Sequence, residues 1–347
     1  MSDDLLIQTE GAVGRLRLNR PKALHALNRA MCDGMLAALE AWRSDADVAA
    51  VLLDHAEGRG FCAGGDIRML SESGATDGAA ARGFFLSEYR LNHRLFTYAK
   101  PTIAVMDGVT MGGGVGISQP CKVRIATEHT RFAMPETAIG LFPDVGGGWY
   151  LSRLPGRIGQ YLALTGARLD GSEMLALGLA THLVPAGAFD TIKAAIATDP
   201  MAAEAILSSH ATQPGEAAIL TQREIIDRLF ASDDFEEILS ALDADGSDWA
   251  QAQLVTLRQR SPLCCKVSLK LLLDAATMPT FEDEMRQEYA VVTRIVQRPD
   301  IVEGVRAVIV DKDHAPRWDP ATPEAVSDHM IDRIFAPLSA ADEWQPH

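Results

Sequence analysis

Two carboxylates stand out in the stretch "FAMPETAIGLFPDVGGGWY", which runs from Phe132 to Tyr150. Glu136 and Asp144 each follow a proline, and their neighbours are Met, Ile, Leu, Phe and Val. A carboxyl group in apolar surroundings has a raised pKa and trades protons near neutrality. Two acids in different settings can divide the roles of acid and base. The plainer alternative makes both residues N-caps at short helix starts, where Asp and Glu are favoured. Pro135, Gly140 and Pro143 argue against one continuous helix through both acids. Two short segments joined by a turn are expected, with each acid presented from a loop edge.

Two glycine-rich loops add a second kind of chemistry. In "GRGFCAGGDIRML" (Gly58 to Leu70) a strand ends near His55, glycines follow, and a helix is expected from about Asp66. In "MDGVTMGGGVGIS" (Met106 to Ser118) a strand again gives way to glycines and then to a helix. Glycine lets the backbone approach a ligand closely. One free N–H from each loop could together bind an oxyanion. The alternative is that both are tight turns at strand–helix junctions. A dinucleotide fingerprint fails, since a GxGxxG frame from Gly112 meets Ile117 where glycine is required. No GxSxG elbow is present, so a serine hydrolase triad has no support. His25, His55, His93 and His129 show no metal-ligand spacing, and Glu88 sits in a helical pattern with Phe85 and Leu91.

The elements that must carry these loops read as alternating strands and helices. "LLIQTEGAVGRLRLN" alternates around Glu10-Gly11 and predicts a hairpin. Met31, Met35, Leu36 and Leu39 are spaced for a helix that stops at Ser44-Asp45. Strands are expected at 49–55, 102–108 and 121–127. This alternation implies an α/β layer architecture. Beyond about residue 205 the pattern is almost wholly helical, and a boundary is placed there. The length of 347 residues suits a main domain with an appended part.

Composition closes off several function classes. Hydrophobic residues are 47% and charged residues 23%, which is ordinary for a globular chain. The net charge of −15 argues against broad nucleic-acid binding. Five cysteines without CxxC spacing predict buried, reduced thiols rather than disulfides or a structural zinc. No apolar run approaches the ~18 residues of a membrane span. The acidic N-terminal stretch has no signal-peptide or transit-peptide pattern, and a cytoplasmic location is expected from it.

In order along the chain, "RPKALHALN", "GRGFCAGGDIRML", "MDGVTMGGGVGIS" and "RFAMPETAIGLFPDVGGGWYLSRLPG" resemble the crotonase (enoyl-CoA hydratase/isomerase) superfamily. Within it they look most like the 3-hydroxyisobutyryl-CoA hydrolase branch of valine breakdown, as do "SPLCCKVSLKLLL", "EYAVVTRI" and "DIVEGVRAVIVDKDHAPRWDP". The resemblance implies an α/β fold, a crotonase-type spiral of ββα turns followed by a helical C-terminal region. It divides the chain into a thioester-binding core at 1–205 and a helical region at 206–347, which packs on the core or at a subunit interface.

The resemblance also implies roles. The N–H groups of Gly65 and Gly113 form an oxyanion hole. Glu136 falls at the family's catalytic glutamate. Asp144 stands where hydratases usually have glycine, and the other hydratase glutamate is replaced by Gly116. Glu136 then either attacks the thioester carbonyl or activates a water, while Asp144 moves protons and orients the substrate. Glu88 matches a substrate-contact position, and Asp66 is grouped with it. Lys22, Ala23 and His25 lie in the segment whose backbone holds adenine, with His25 in place of a more usual Asn. The implied partner is an acyl-CoA thioester, with no metal or redox cofactor, no nucleic acid and no membrane, in a homo-oligomer of three or six copies. The alternatives are an enoyl-CoA hydratase or isomerase, and a non-catalytic acyl-CoA-binding protein.

Overall fold

The computed structural model describes residues 3–347. Its nine strands are β1 (Leu5–Glu10), β2 (Val13–Leu18), β3 (Ala50–His55), β4 (Gly60–Cys62), β5 (Thr102–Met106), β6 (Val109–Met111), β7 (Val123–Ala126), β8 (Arg131–Ala133) and β9 (His182–Leu183). The expected hairpin is present: β1 and β2 pair antiparallel, turning at Gly11 with φ of 58°. The larger sheet has the order β1-β2-β3-β5-β7-β9, and every pairing after the hairpin is parallel. Parallel strands are covered on both faces, which is why "AVLLD" reads as a continuous apolar run with one acid at its end. All of β3 but His55 is buried.

A second sheet, β4-β6-β8, is also parallel and is built from strands of three residues. These strands were not expected, because each lies inside or beside a glycine-rich stretch too short to show a period. They matter for the site: β4 leads into Gly64-Gly65 and β6 leads into Gly112-Gly113.

Helices α1 (Arg29–Arg43), α2 (Ile67–Gly74), α3 (Ala79–Phe96), α4 (Gly113–Ser118) and α5 (Gly147–Leu151) follow in chain order. Asn28 caps α1 by accepting the Met31 N–H at 2.9 Å, and Met31, Met35 and Leu39 form its buried face. From residue 189 onward only helices and turns occur. The helices Pro262–Ala275 and Phe281–Ile295 bear on the site.

Contacts group the chain into two units, each assembled from separated stretches, rather than dividing it by one cut near 205. The first holds residues up to Gly65, Ser87–Ala133 and Arg168–Leu220; the second holds Asp66–Leu86, Met134–Ala167 and Thr221–His347. Both sheets belong to the first unit. Its core joins Leu52, Ile103, Val105 and Ile125 to Ile192, Ile196 and Leu207. The five cysteines are free and buried, as expected.

Leu52 lies in β3, paired with Arg15 of β2 and Ile103 of β5, and is 3% exposed. Leu52→Ala is expected to cost about 2–5 kcal/mol through lost burial and the cavity left behind. Denaturant titration measures it.

Candidate active site

In the first unit the glycine loops meet. Gly64 takes φ of 115°, and Gly112 takes φ of 49° with ψ of −120°, conformations that disfavour a side chain. The Leu27 N–H donates to Gly64 O at 2.8 Å, and Leu27 forms a parallel bridge with Gly65. A Cβ on Gly113 would lie 3.3 Å from the carbonyl carbon of Gly64, so Gly113 abuts the peptide that carries the Gly65 N–H. Gly113 is the first residue of α4, where an N–H has no partner within the helix. Among the described residues, neither of these two N–H groups donates to a protein acceptor.

Glu88, on α3, completes this corner. It is 2% exposed, and any side chain at 113 would collide with its Oε1. Lys22 and Ala23 end a single 3-10 turn and are exposed, while Leu24 and His25 adopt positive φ. His25 is buried. Its Nδ1 accepts the Arg20 N–H at 2.9 Å, so Nε2 carries the proton and donates to Glu57 O at 2.7 Å. Burial lowers its pKa and keeps it neutral. Both ring nitrogens are thus engaged by backbone groups of the protein.

The second unit holds the acids. Asp66 caps α2 by accepting the Met69 N–H at 3.4 Å. Glu136 opens a 3-10 turn, Glu136–Ile139, directly after Pro135, and the turn closes at Gly140 with φ of 75°. Asp144 precedes α5. The two short segments and the turn between them are as expected. Both acids are buried, however, with exposures of 5% and 4%, rather than standing as surface caps.

Burial pushes the Glu136 carboxyl well above its ordinary 4.5, and the charge of Asp144 pushes it further. Among the described residues, Glu136 Oε2 has no hydrogen-bond partner. A buried oxygen without a donor favours the neutral acid. After Asp144 comes Val145 at φ of 55°, a β-branched residue in the left-handed region, and then Gly146 at φ of 87°. A β-branched residue there is strained, which marks a conformation held by its surroundings. The Gly147 N–H returns to Asp144 O at 2.8 Å, and the Gly146 N–H donates to both oxygens of Glu288, at 2.8 and 3.1 Å.

Glu288 was not anticipated, nor was Glu284, one helical turn before it on Phe281–Ile295. Both are 0% exposed. Burial raises both carboxyls, Glu284 to about 7. Asp144 adds to the upward push on Glu288, as it does on Glu136. The signal available was an acid pair at i, i+4 on the same face as Phe281, Met285 and Tyr289, in place of a solvated stripe.

Similarity to known proteins decides the family. The pattern described as Enoyl-CoA hydratase/isomerase matches residues 13–335. The chain belongs to the enoyl-CoA hydratase/isomerase family. Within this family, the mitochondrial 3-hydroxyisobutyryl-CoA hydrolase of Gallus gallus is 41% identical, over 98% of this chain and 90% of the relative. Its Xenopus laevis counterpart, also mitochondrial, is 40% identical over 97% and 90%. Among solved structures, a carnitinyl-CoA dehydratase from Mycobacterium thermoresistibile superposes with a TM-score of 0.93 at 40% identity, over 98% of each chain. The fold is therefore the crotonase fold, with its mixed α/β core and C-terminal helices. The cytoplasmic expectation does not stand, because these relatives are mitochondrial. Compartment is read from targeting signals by a receptor and not from the composition of a folded core.

The raised Glu136 pKa makes stability fall with pH. Above its ordinary 4.5 the unfolded chain has lost a proton that the folded chain keeps, so stability drops as pH rises from there through the folded value. Glu136→Gln is expected to melt a few degrees above the parent at pH 8, with the gap closing near pH 4. Calorimetry across that range checks it. A gap of the opposite sign at pH 8 would contradict the burial argument.

Proposed function

We propose that this protein hydrolyses 3-hydroxyisobutyryl-CoA to 3-hydroxyisobutyrate and coenzyme A. The carrying observation is the buried Glu136–Asp144 pair, in a chain about 40% identical to hydrolases of that name over nearly its whole length. Thioester hydrolysis builds negative charge on the carbonyl oxygen. In this reading the N–H groups of Gly65 and Gly113 stabilise it, and losing one such donor costs about 3–4 kcal/mol of barrier. Glu136, once deprotonated, attacks the carbonyl carbon to form an anhydride and release CoA thiolate; water then cleaves the anhydride. The alternative is that Glu136 takes a proton from the attacking water. In either case Asp144, whose charge acts on Glu136, exchanges the proton and orients the substrate hydroxyl or the water. Glu88 and Asp66 serve substrate binding, and the backbone of Lys22, Ala23 and His25 serves the adenine. The chemistry draws on no metal or redox cofactor.

3-Hydroxypropionyl-CoA is a second expected substrate, since one methyl changes binding by only ~1–3 kcal/mol. A second reading, hydration or dehydration of an acyl-CoA, is favoured by the likeness to the carnitinyl-CoA dehydratase. It is weakened by Gly116, which is buried in α4 and has no carboxyl to serve as a second acid around a water.

The test is thiol release from 3-hydroxyisobutyryl-CoA beside hydration of crotonyl-CoA. Glu136→Gln is expected to lower kcat for thiol release about 10²–10⁴-fold, and Asp144→Gly to lower it as well. Strong hydration with no thiol release would overturn the reading. Single turnover in oxygen-18 water separates the two routes: label in the Glu136 carboxyl marks the anhydride.

A further inference from the structure

Gly146, Gly147 and Gly148 form the one motif that the proposed chemistry does not use. The structure gives each a reason. A Cβ on Gly146 would lie 2.8 Å from the Phe281 ring, and one on Gly147 would lie 3.0 Å from Met134 and Pro143. A Cβ on Gly148 would overlap Glu284 Oε1. The glycines therefore let the start of α5 press directly against helix Phe281–Ile295, at Glu284 and Glu288.

Two carboxylates side by side in a dry interior cannot both ionise at neutral pH. Glu288 takes the Gly146 N–H on both oxygens. Among the described residues, neither Glu284 oxygen has a donor within hydrogen-bond geometry, although the Trp149 amide and Arg153 ease its charge. As two anions the pair would have no hydrogen between them; a single shared proton makes one bond and leaves one negative charge. The charged groups around the pair are few. Asp144 lies on the α5 side, Arg153 follows α5, and Asp274 ends helix Pro262–Ala275. Asp274 is itself held by Lys270 at 3.1 Å and Gln287 at 2.8 Å.

We propose that Glu288, sharing one proton with Glu284, is a positioning residue for Asp144. Its carboxyl accepts the Gly146 N–H and so anchors the left-handed turn at Val145-Gly146 that follows Asp144. The inference deepens the hydrolase reading and rests on it. Glu288 touches no reacting atom; it acts through Asp144.

The variants separate charge from shape. Glu288→Gln keeps an oxygen to accept the Gly146 N–H and removes the ionisable carboxyl. It is expected to fold, keep KM within about twofold and lower kcat about tenfold. The pH–kcat profile is also expected to shift, because an ionisable group that interacts with Asp144 is gone. Glu288→Ala also loses the acceptor and is expected to lower kcat further. Parent kcat together with a parent pH profile in Glu288→Gln would overturn the proposal and leave Glu288 a structural acceptor.

A second arm needs no substrate. At neutral pH, infrared spectra of the parent protein are expected to show a protonated buried carboxyl that Glu284→Gln removes. Identical carboxyl bands in parent and variant would mean no shared proton and would overturn the proposal. Absence of thiol release in the parent would sink the hydrolase reading instead, and the infrared arm would still decide the pair.

Discussion

The second unit is organised by the cost of burying negative charge. Glu136, Asp144, Glu288 and Glu284 are all at most 5% exposed, and Arg153 eases the charge of Glu284. Four anions could not coexist there, because an isolated buried carboxylate is too costly and shifts its pKa instead. Glu136, Glu284 and Glu288 are therefore pushed toward the protonated form. Asp144 is the hinge of this row, since its charge acts on Glu136 on one side and on Glu288 on the other. An enzyme that must take and return protons near neutrality uses this situation, whereas a structural core would avoid it.

The same constraint accounts for the local backbone. Val145 holds a strained left-handed conformation, and two contacts pin it: the Gly147 N–H on Asp144 O and the Gly146 N–H on Glu288. The first unit pays for close approach in another way. Its glycines at 64, 112 and 113 leave two peptide N–H groups without protein acceptors, beside the buried Glu88.

Much of this was legible in the residues. The prolines before Glu136 and Asp144 and the glycine between them showed where a single helix must break, and the structure has two short turns there. The hairpin and α1 followed from periodicity, and β3, β5 and β7 from short apolar runs. The three-residue strands β4, β6 and β8 did not, because a period of two needs more residues than they have. The depth of the acids was only half visible: their apolar neighbours were plain, but the covering helix Phe281–Ile295 lies more than 130 positions along the chain. Its helical character was plain, but only packing places Glu284 and Glu288 inside.

The central claim is that Glu136 is held protonated by burial and by Asp144. The most direct measurement is a carbon-13 NMR titration of glutamate-labelled protein, with the Glu136 carboxyl assigned by its loss in Glu136→Gln. The account predicts a midpoint well above the ordinary 4.5, moving down in Asp144→Asn, where the neighbouring charge is gone. A midpoint near 4.5 that ignores the Asp144 substitution would contradict it.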